Sequence, residues 1–139
     1  MAAGKKFGYP FLLKARTDAY DGRGNALIKK PTDIDTGLAK LSGRALYVEK
    51  FVPFTRELAV MVARSTRGQI KTYPVAETFH KNNICHIVIA PARVDRKIQK
   101  KAQLLAATVM KKLKGAGVFG IEMFLTKNGE VLVNEIAPR

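Results

Sequence analysis

Residues 118–139, VFGIEMFLTKNGEVLVNEIAPR, decide how this chain folds. Two runs rich in β-branched and aromatic residues, 118–125 and 131–136, flank Asn128 and Gly129. Asn-Gly is the strongest short signal for a two-residue type I′ turn, because both central positions need positive φ. Such a turn sets Lys127 opposite Glu130. Carried down the ladder, the same register sets Glu122 opposite Glu135. Residues opposed on one face of an antiparallel pair have Cβ atoms about 5 Å apart, and like charges so placed destabilise the sheet. Either one carboxyl is protonated, or a cation sits between them. A hard cation such as Mg²⁺ takes oxygen ligands and binds through one or two carboxylates plus waters and substrate phosphates. Two solvated glutamates on an exposed face are the competing reading. The apolar or small neighbours Gly120, Phe124, Val131 and Val133 argue against full solvation.

The remainder of the chain bounds what this hairpin can belong to. Its 139 residues, 47% hydrophobic, suffice for a folded core. No apolar run approaches the roughly 20 residues of a membrane span, and MAAGKKFGYP at the start lacks the apolar centre of a signal peptide. The single cysteine, Cys85, cannot form an internal disulfide, which points to a reducing, cytoplasmic setting. The net charge of +14 raises nucleic acid, an anionic small substrate, or a piece of a larger and less basic chain. Seven of the 25 Lys and Arg fall between residues 96 and 114, a predicted helix, with no RNA-binding or recognition-helix pattern. A solvated helix face, or a surface for other parts of the protein, is the simplest account of them.

Hairpins dominate the rest of the pattern. Residues 11–16 and 26–30 read as strands around the polar loop 17–25. A short helix starts at Pro31-Thr32-Asp33, with Thr32 or Asp33 as N-cap, and ends near Ser42-Gly43. Residues 45–51 form a third strand, and Val52-Pro53-Phe54-Thr55 breaks it. Three strands, 57–65, 70–78 and 84–90, precede the helix 96–114. Its apolar stripe is Ile98, Ala102, Leu105, Val109 and Leu113, and Gly115 is its expected stop. The pattern is an α+β architecture, two lobes of antiparallel sheet with few helices: a small lobe 1–52 and a larger lobe 53–139.

Other residues carry candidate chemistry. In the loop AYDGRGN two glycines let backbone N–H groups approach an anion, and Arg23 between them can fork onto phosphate or carboxylate. An ordinary hairpin tip is an equal reading, since the loop is neither a Rossmann nor a Walker signature. Lys14 lies mid-strand and reaches a phosphate or snorkels to solvent. Glu57 caps a ribose hydroxyl or pairs with Arg56 or Lys50. His80 and His86 read as structural.

KARTDAYDGRGN (14–25), VEKFVPFTRELAVMVARS (48–65), YPVAETFHKNNIC (73–85), APARV (90–94), FGIEMF (119–124) and NEIAPR (134–139) together resemble the ATP-grasp family. Within it the chain is most similar to the N5-carboxyaminoimidazole ribonucleotide synthases. ETFHKNNIC resembles their fungal form, phosphoribosylaminoimidazole carboxylase, in which the same chain carries a mutase-type domain. The resemblance implies an ATP-grasp-like fold, ATP and Mg²⁺ as cofactors, bicarbonate and aminoimidazole ribonucleotide as substrates, and a homo-oligomeric full-length protein. It implies nucleotide contacts for Lys14, the mobile loop of Ala19, Tyr20, Asp21, Gly22, Arg23, Gly24 and Asn25, the inter-lobe strand of Glu49, Lys50, Phe51 and Val52, and Glu57 and His80. Glu122 and Glu135 hold Mg²⁺ on this account, with Asn134 beside them. Tyr20, Asp21, Arg23 and Arg139 face the ribonucleotide and the carboxyphosphate intermediate. Bicarbonate attacks the γ-phosphoryl group of ATP, and the carboxyphosphate formed carboxylates the substrate amine directly or through CO₂. The family also has an N-terminal domain before this segment and a substrate loop after it. The expectation is therefore most of an ATP site, half a substrate site, little turnover alone and exposed sheet edges. The alternative is a basic module for nucleic acid or protein, without catalysis.

Overall fold

The computed structural model describes residues 2–19 and 23–139. The chain divides into two compact units. One runs to Val52 and includes Asn82–Ile84; the other comprises Pro53–Lys81 and Cys85–Arg139.

The first unit opens with a short helix, α1 (Ala2–Phe7), followed by strands β1 (Phe11–Ala15) and β2 (Asn25–Ile28). A 3-10 turn (Pro31–Asp33) leads into α2 (Ile34–Lys40), and β3 (Leu46–Lys50) completes a three-stranded antiparallel sheet ordered β2-β1-β3. Alternation along β1 drives Phe11 and Leu13 into a core with Ala26, Ile28 and Leu41. The same alternation puts Lys14 on the other face. Asp33 precedes α2 as expected, but its carboxylate accepts from the N–H groups of Lys29 and Lys30 rather than capping the helix.

The second unit contains β4 (Phe54–Arg64), β5 (Ile70–Thr72), β6 (Ala76–Lys81), β7 (Ile84–Ile89, all but its first residue), α3 (Arg96–Leu113), β8 (Gly117–Thr126) and β9 (Val131–Pro138). Its sheet runs β7-β6-β4-β8-β9, with β5 also paired to β4. Leu58, Val60 and Val62 of β4 and Ile121, Met123 and Leu125 of β8 face α3, where Ala102, Ala106 and Met110 are fully buried. Each large side chain so buried contributes about 1.5–3 kcal/mol. Small alanines on the helix let it lie close to the sheet.

The local expectations needed several corrections. The strand expected over 70–78 is two strands, because Pro74 has no N–H for a ladder. The strand expected from Glu57 begins at Phe54; Thr55 is an extra residue in it, with its hydroxyl donating to the Leu125 carbonyl at 3.0 Å. The helix stripe is centred on Ala102, Ala106 and Met110, and Leu113 is half exposed. Lys114, at φ 61°, is the left-handed residue that ends α3, one position before the expected Gly115.

The turn of the decisive hairpin also differs. Only Gly129 has positive φ (76°), and the Thr126 N–H donates to Glu130 O at 2.9 Å. The loop is therefore three residues, Lys127 to Gly129, and not a type I′ turn. The doubly left-handed two-residue loop lies elsewhere, at Asn82 (53°) and Asn83 (62°) between β6 and β7. Above the three-residue loop every partner is one position off the expected register: Met123 faces Val133 and Leu125 faces Val131. A bulge at Asn134 then moves the register back, so that Glu122 does face Glu135. Two departures cancel at the position that matters. At the sheet margins, β7 exposes Ile84, Ile87 and Val88, and β9 exposes Leu132, Val133 and Ile136 to about a third or more.

Candidate functional site

The face of the larger sheet away from α3 carries the candidate residues Glu57, Glu122 and Glu135 of the second unit. Adjacent rows can be read across the ladder. Thr78 of β6 faces Glu57 of β4, which faces Phe124 of β8. In the next row Ala76 faces Ala59, Ala59 faces Glu122, and Glu122 faces Glu135. Two alanines thus stand beside the carboxylate pair and leave it room. His80, two residues beyond Thr78 on β6, pairs through Nδ1 with the Glu57 carboxylate. Phe54 stacks on Phe124, centroids 4.3 Å apart and planes within 5°.

The electrostatics of this face centre on Glu122. Burial raises its carboxyl above the ordinary value, and Glu135 raises it further. His80 and Arg139 pull it down, and Glu57 adds a smaller upward push. Negative charge is therefore in excess where the two strands meet. The bulge lets Asn134 and Glu135 both answer the single Glu122. Among the described residues no three His, Cys, Asp or Glu converge to hold a metal unaided. An opposed carboxylate pair short of positive charge, with Asn134 next to Glu135 in the bulge, suits Mg²⁺ that takes its other ligands from water and phosphate.

The first unit holds the remaining candidates. Lys14 Nζ lies 3.2 and 3.3 Å from the two carboxylate oxygens of Glu49 and 5.9 Å from the centre of the Tyr47 ring. Both partners are on β3, which β1 pairs, so the register of the small sheet fixes the lysine. Glu49 thus holds the lysine as well as lying on the expected nucleotide strand, and the tyrosine went unnoticed because cross-strand register is invisible in the sequence. Lys50 ends β3, and Phe51 and Val52 follow it half-buried. Of the glycine loop, Tyr20, Asp21 and Gly22 lie outside the described residues. Ala19 and Arg23 are exposed, and Asn25 opens β2. Gly24 is buried, and its carbonyl accepts from the Ala15 N–H at 2.8 Å. A Cβ on Gly24 would fall 2.2 Å from that of Ala19, so only glycine allows the loop ends this close.

One ion pair with a buried carboxylate was missed altogether. Arg56 pairs with Glu77, which lies on the α3 side of the sheet and is almost fully buried. The second oxygen of Glu77 is buried with no partner among the described residues. In the sequence Glu77 is merely one polar residue in a strand.

The family comparison bears on the whole chain. The ATP-grasp domain matches residues 1–139. The chain belongs to the ATP-grasp family. It is 58% identical over 136 residues to a phosphoribosylaminoimidazole carboxylase of Ogataea methanolica, covering 98% of this ATP-grasp chain and 25% of that protein. Among solved structures, a carboxyaminoimidazole ribonucleotide synthase of Aspergillus clavatus complexed with ATP superposes with a TM-score of 0.90 at 43% identity, over 98% of this chain and 36% of the other. An N5-carboxyaminoimidazole synthase from the same organism, in complex with ADP and 5-aminoimidazole ribonucleotide, gives 0.86 at 40% identity, over 96% and 34%. The ATP-grasp chain described here thus spans between a quarter and about a third of the length of these relatives.

Proposed function

We propose that this chain is the Mg-ATP-binding part of an enzyme that carboxylates aminoimidazole ribonucleotide with ATP and bicarbonate. The observation that carries the reading is Glu122 held opposite Glu135 on the open face of an ATP-grasp sheet. Glu122, Glu135 and Asn134 would hold Mg²⁺, which when bound neutralises charge on the transferred phosphoryl group. Glu57, tied to His80, presents a carboxylate oxygen to the ribose hydroxyls. Lys14 exchanges Glu49 for nucleotide phosphate. This keeps a cation in the same short-range electrostatic role while its partner changes. Residues 49–52 read the base through the backbone. Arg23 and Arg139 face the anionic carboxyphosphate and ribonucleotide. Their fixed charges favour attack of bicarbonate oxygen on the γ-phosphorus, with ADP leaving. Cys85 as the single thiol suits a reducing cytoplasm.

Calorimetric titration of the chain with ATP and Mg²⁺ tests this. The native sequence should bind Mg²⁺-dependently, and Glu122→Gln with Glu135→Gln should remove the metal dependence. Absence of binding in a sample folded by circular dichroism, or binding indifferent to the double substitution, would sink the reading.

A further inference from the structure

We infer that Gly120 is a positioning residue: by carrying nothing that reaches beyond a Cβ it leaves the space in which the guanidinium of Arg139 is seated across β8, beside the Glu122–Glu135 pair, as a receptor for a phosphoryl oxygen. Gly120 lies mid-strand, facing Met61 of β4 and Ala137 of β9. Its φ is not in the left-handed region, so the backbone does not require glycine there. Glycine within a strand weakens it by about 0.5–1 kcal/mol against alanine, and commonly marks a place where another group comes close to the backbone.

Here the close group is identifiable. A Cβ at position 120 would touch Arg139 Nε at 3.5 Å, Met61 Sδ at 3.5 Å and Ala137 O at 4.0 Å. Gly120 is buried although it lies on the open face of the sheet, because Met61 and Arg139 cover it. The Arg139 N–H donates to Val118 O at 2.9 Å, which fixes the backbone from which the side chain turns back over β8. Glu122 lies two residues along the same face of β8, opposite Glu135. A single Cβ makes ordinary contacts here. Each further carbon extends about 1.5 Å, so a branched side chain takes the space of Nε and must displace the arginine. The guanidinium fork suits phosphate geometry, and beside two carboxylates it meets an anion that a bound cation would also hold.

The phosphoryl assignment rests on the proposed function; the seating of Arg139 does not. Two readouts keep them apart. In the ligand-free ¹⁵N-labelled chain, the Arg139 Nε–Hε resonance, assigned by its loss in Arg139→Gln, should stay in place in Gly120→Ala and move toward the position of free arginine in Gly120→Val. Gly120→Ser, with one atom beyond Cβ, should move it partway and serves if the valine variant does not fold. In a double-mutant cycle, Gly120→Val should weaken Mg-ATP binding roughly tenfold with Arg139 present and less than about twofold in the Arg139→Gln background. Urea midpoints should fall equally in both backgrounds. An unmoved resonance in the valine or serine variant overturns the inference, as does an equal loss of ATP affinity in both backgrounds. If the native chain binds no Mg-ATP, the proposed function and the phosphoryl role both fall, and the resonance still decides the seating.

Discussion

Two pairs of charged residues on two antiparallel sheets make opposite use of the same geometry. In the small sheet Lys14 meets Glu49 at 3.2 Å, a cation and an anion brought together by β1 and β3. In the larger sheet Glu122 meets Glu135, two anions brought together by β8 and β9. The first pair is satisfied within the chain. The second leaves a carboxyl raised by burial and by its neighbour, with only partial relief from His80 and Arg139. A cross-strand ladder imposes proximity on whatever residues occupy it; chemistry decides whether proximity stabilises the sheet or asks for a ligand. The Arg56–Glu77 pair is a third case, in which an exposed guanidinium answers a carboxylate that the core has taken out of water.

The largest expected effect separates buried from exposed pairing. Arg56→Ala leaves a nearly fully buried Glu77 carboxylate without its exposed partner and should cost about 1–3 kcal/mol in urea unfolding. A loss under about 0.3 kcal/mol would mean that the pair adds nothing to stability. Deleting Asn134 probes the like-charged pair. Val133 would then precede Glu135 directly, and Glu122 would still face Glu135 in an unbulged ladder. The fold should persist while Mg-ATP affinity falls roughly 10- to 100-fold, the loss typical when a supporting group is removed from a metal site. Unchanged affinity would reduce the bulge to a turn compensation.

The like-charged pair should also show itself in pH dependence. Because the Glu122 carboxyl is raised above 4.5 in the folded chain, the native state binds its proton more tightly than the unfolded state. Stability must then fall as pH rises from about 4.5 through the raised native value, and the penalty is complete above it. Glu122→Gln should therefore stabilise the ligand-free chain by about 0.2–1 kcal/mol at neutral pH, with the gain vanishing below pH ~4.5. A gain that grows on acidification would contradict the assignment. The smallest effect belongs to the opposite-charge pair. Lys14→Met should change stability by no more than about 1 kcal/mol, since the pair is partly solvated. Its Mg-ATP affinity should drop much more, and calorimetry against urea unfolding distinguishes the two.

The sequence by itself determined what depends on composition and short-range pattern. The alternation of Ile121, Met123 and Leu125 with Glu122 and Phe124 assigned the faces of β8, because strand side chains alternate strictly. The spacing of apolar residues from Ile98 to Val109 announced α3. Glu122 and Glu135 were legible as a pair, although through a turn that does not exist: the tight loop expected at Asn128-Gly129 belongs to Asn82-Asn83, where a side-chain amide tolerates the left-handed region. Only the tertiary structure decided the three-residue loop and its cancelling bulge at Asn134, since a one-residue slip changes every cross-strand partner without changing any local propensity. It alone decided that Lys14 lies against Glu49 and Tyr47, that Glu77 is buried with Arg56, and that Arg139 rests on Gly120. Each of these is a contact between residues distant in the chain, set by which strands pair and how closely their backbones approach, and no local stretch of sequence carries that information.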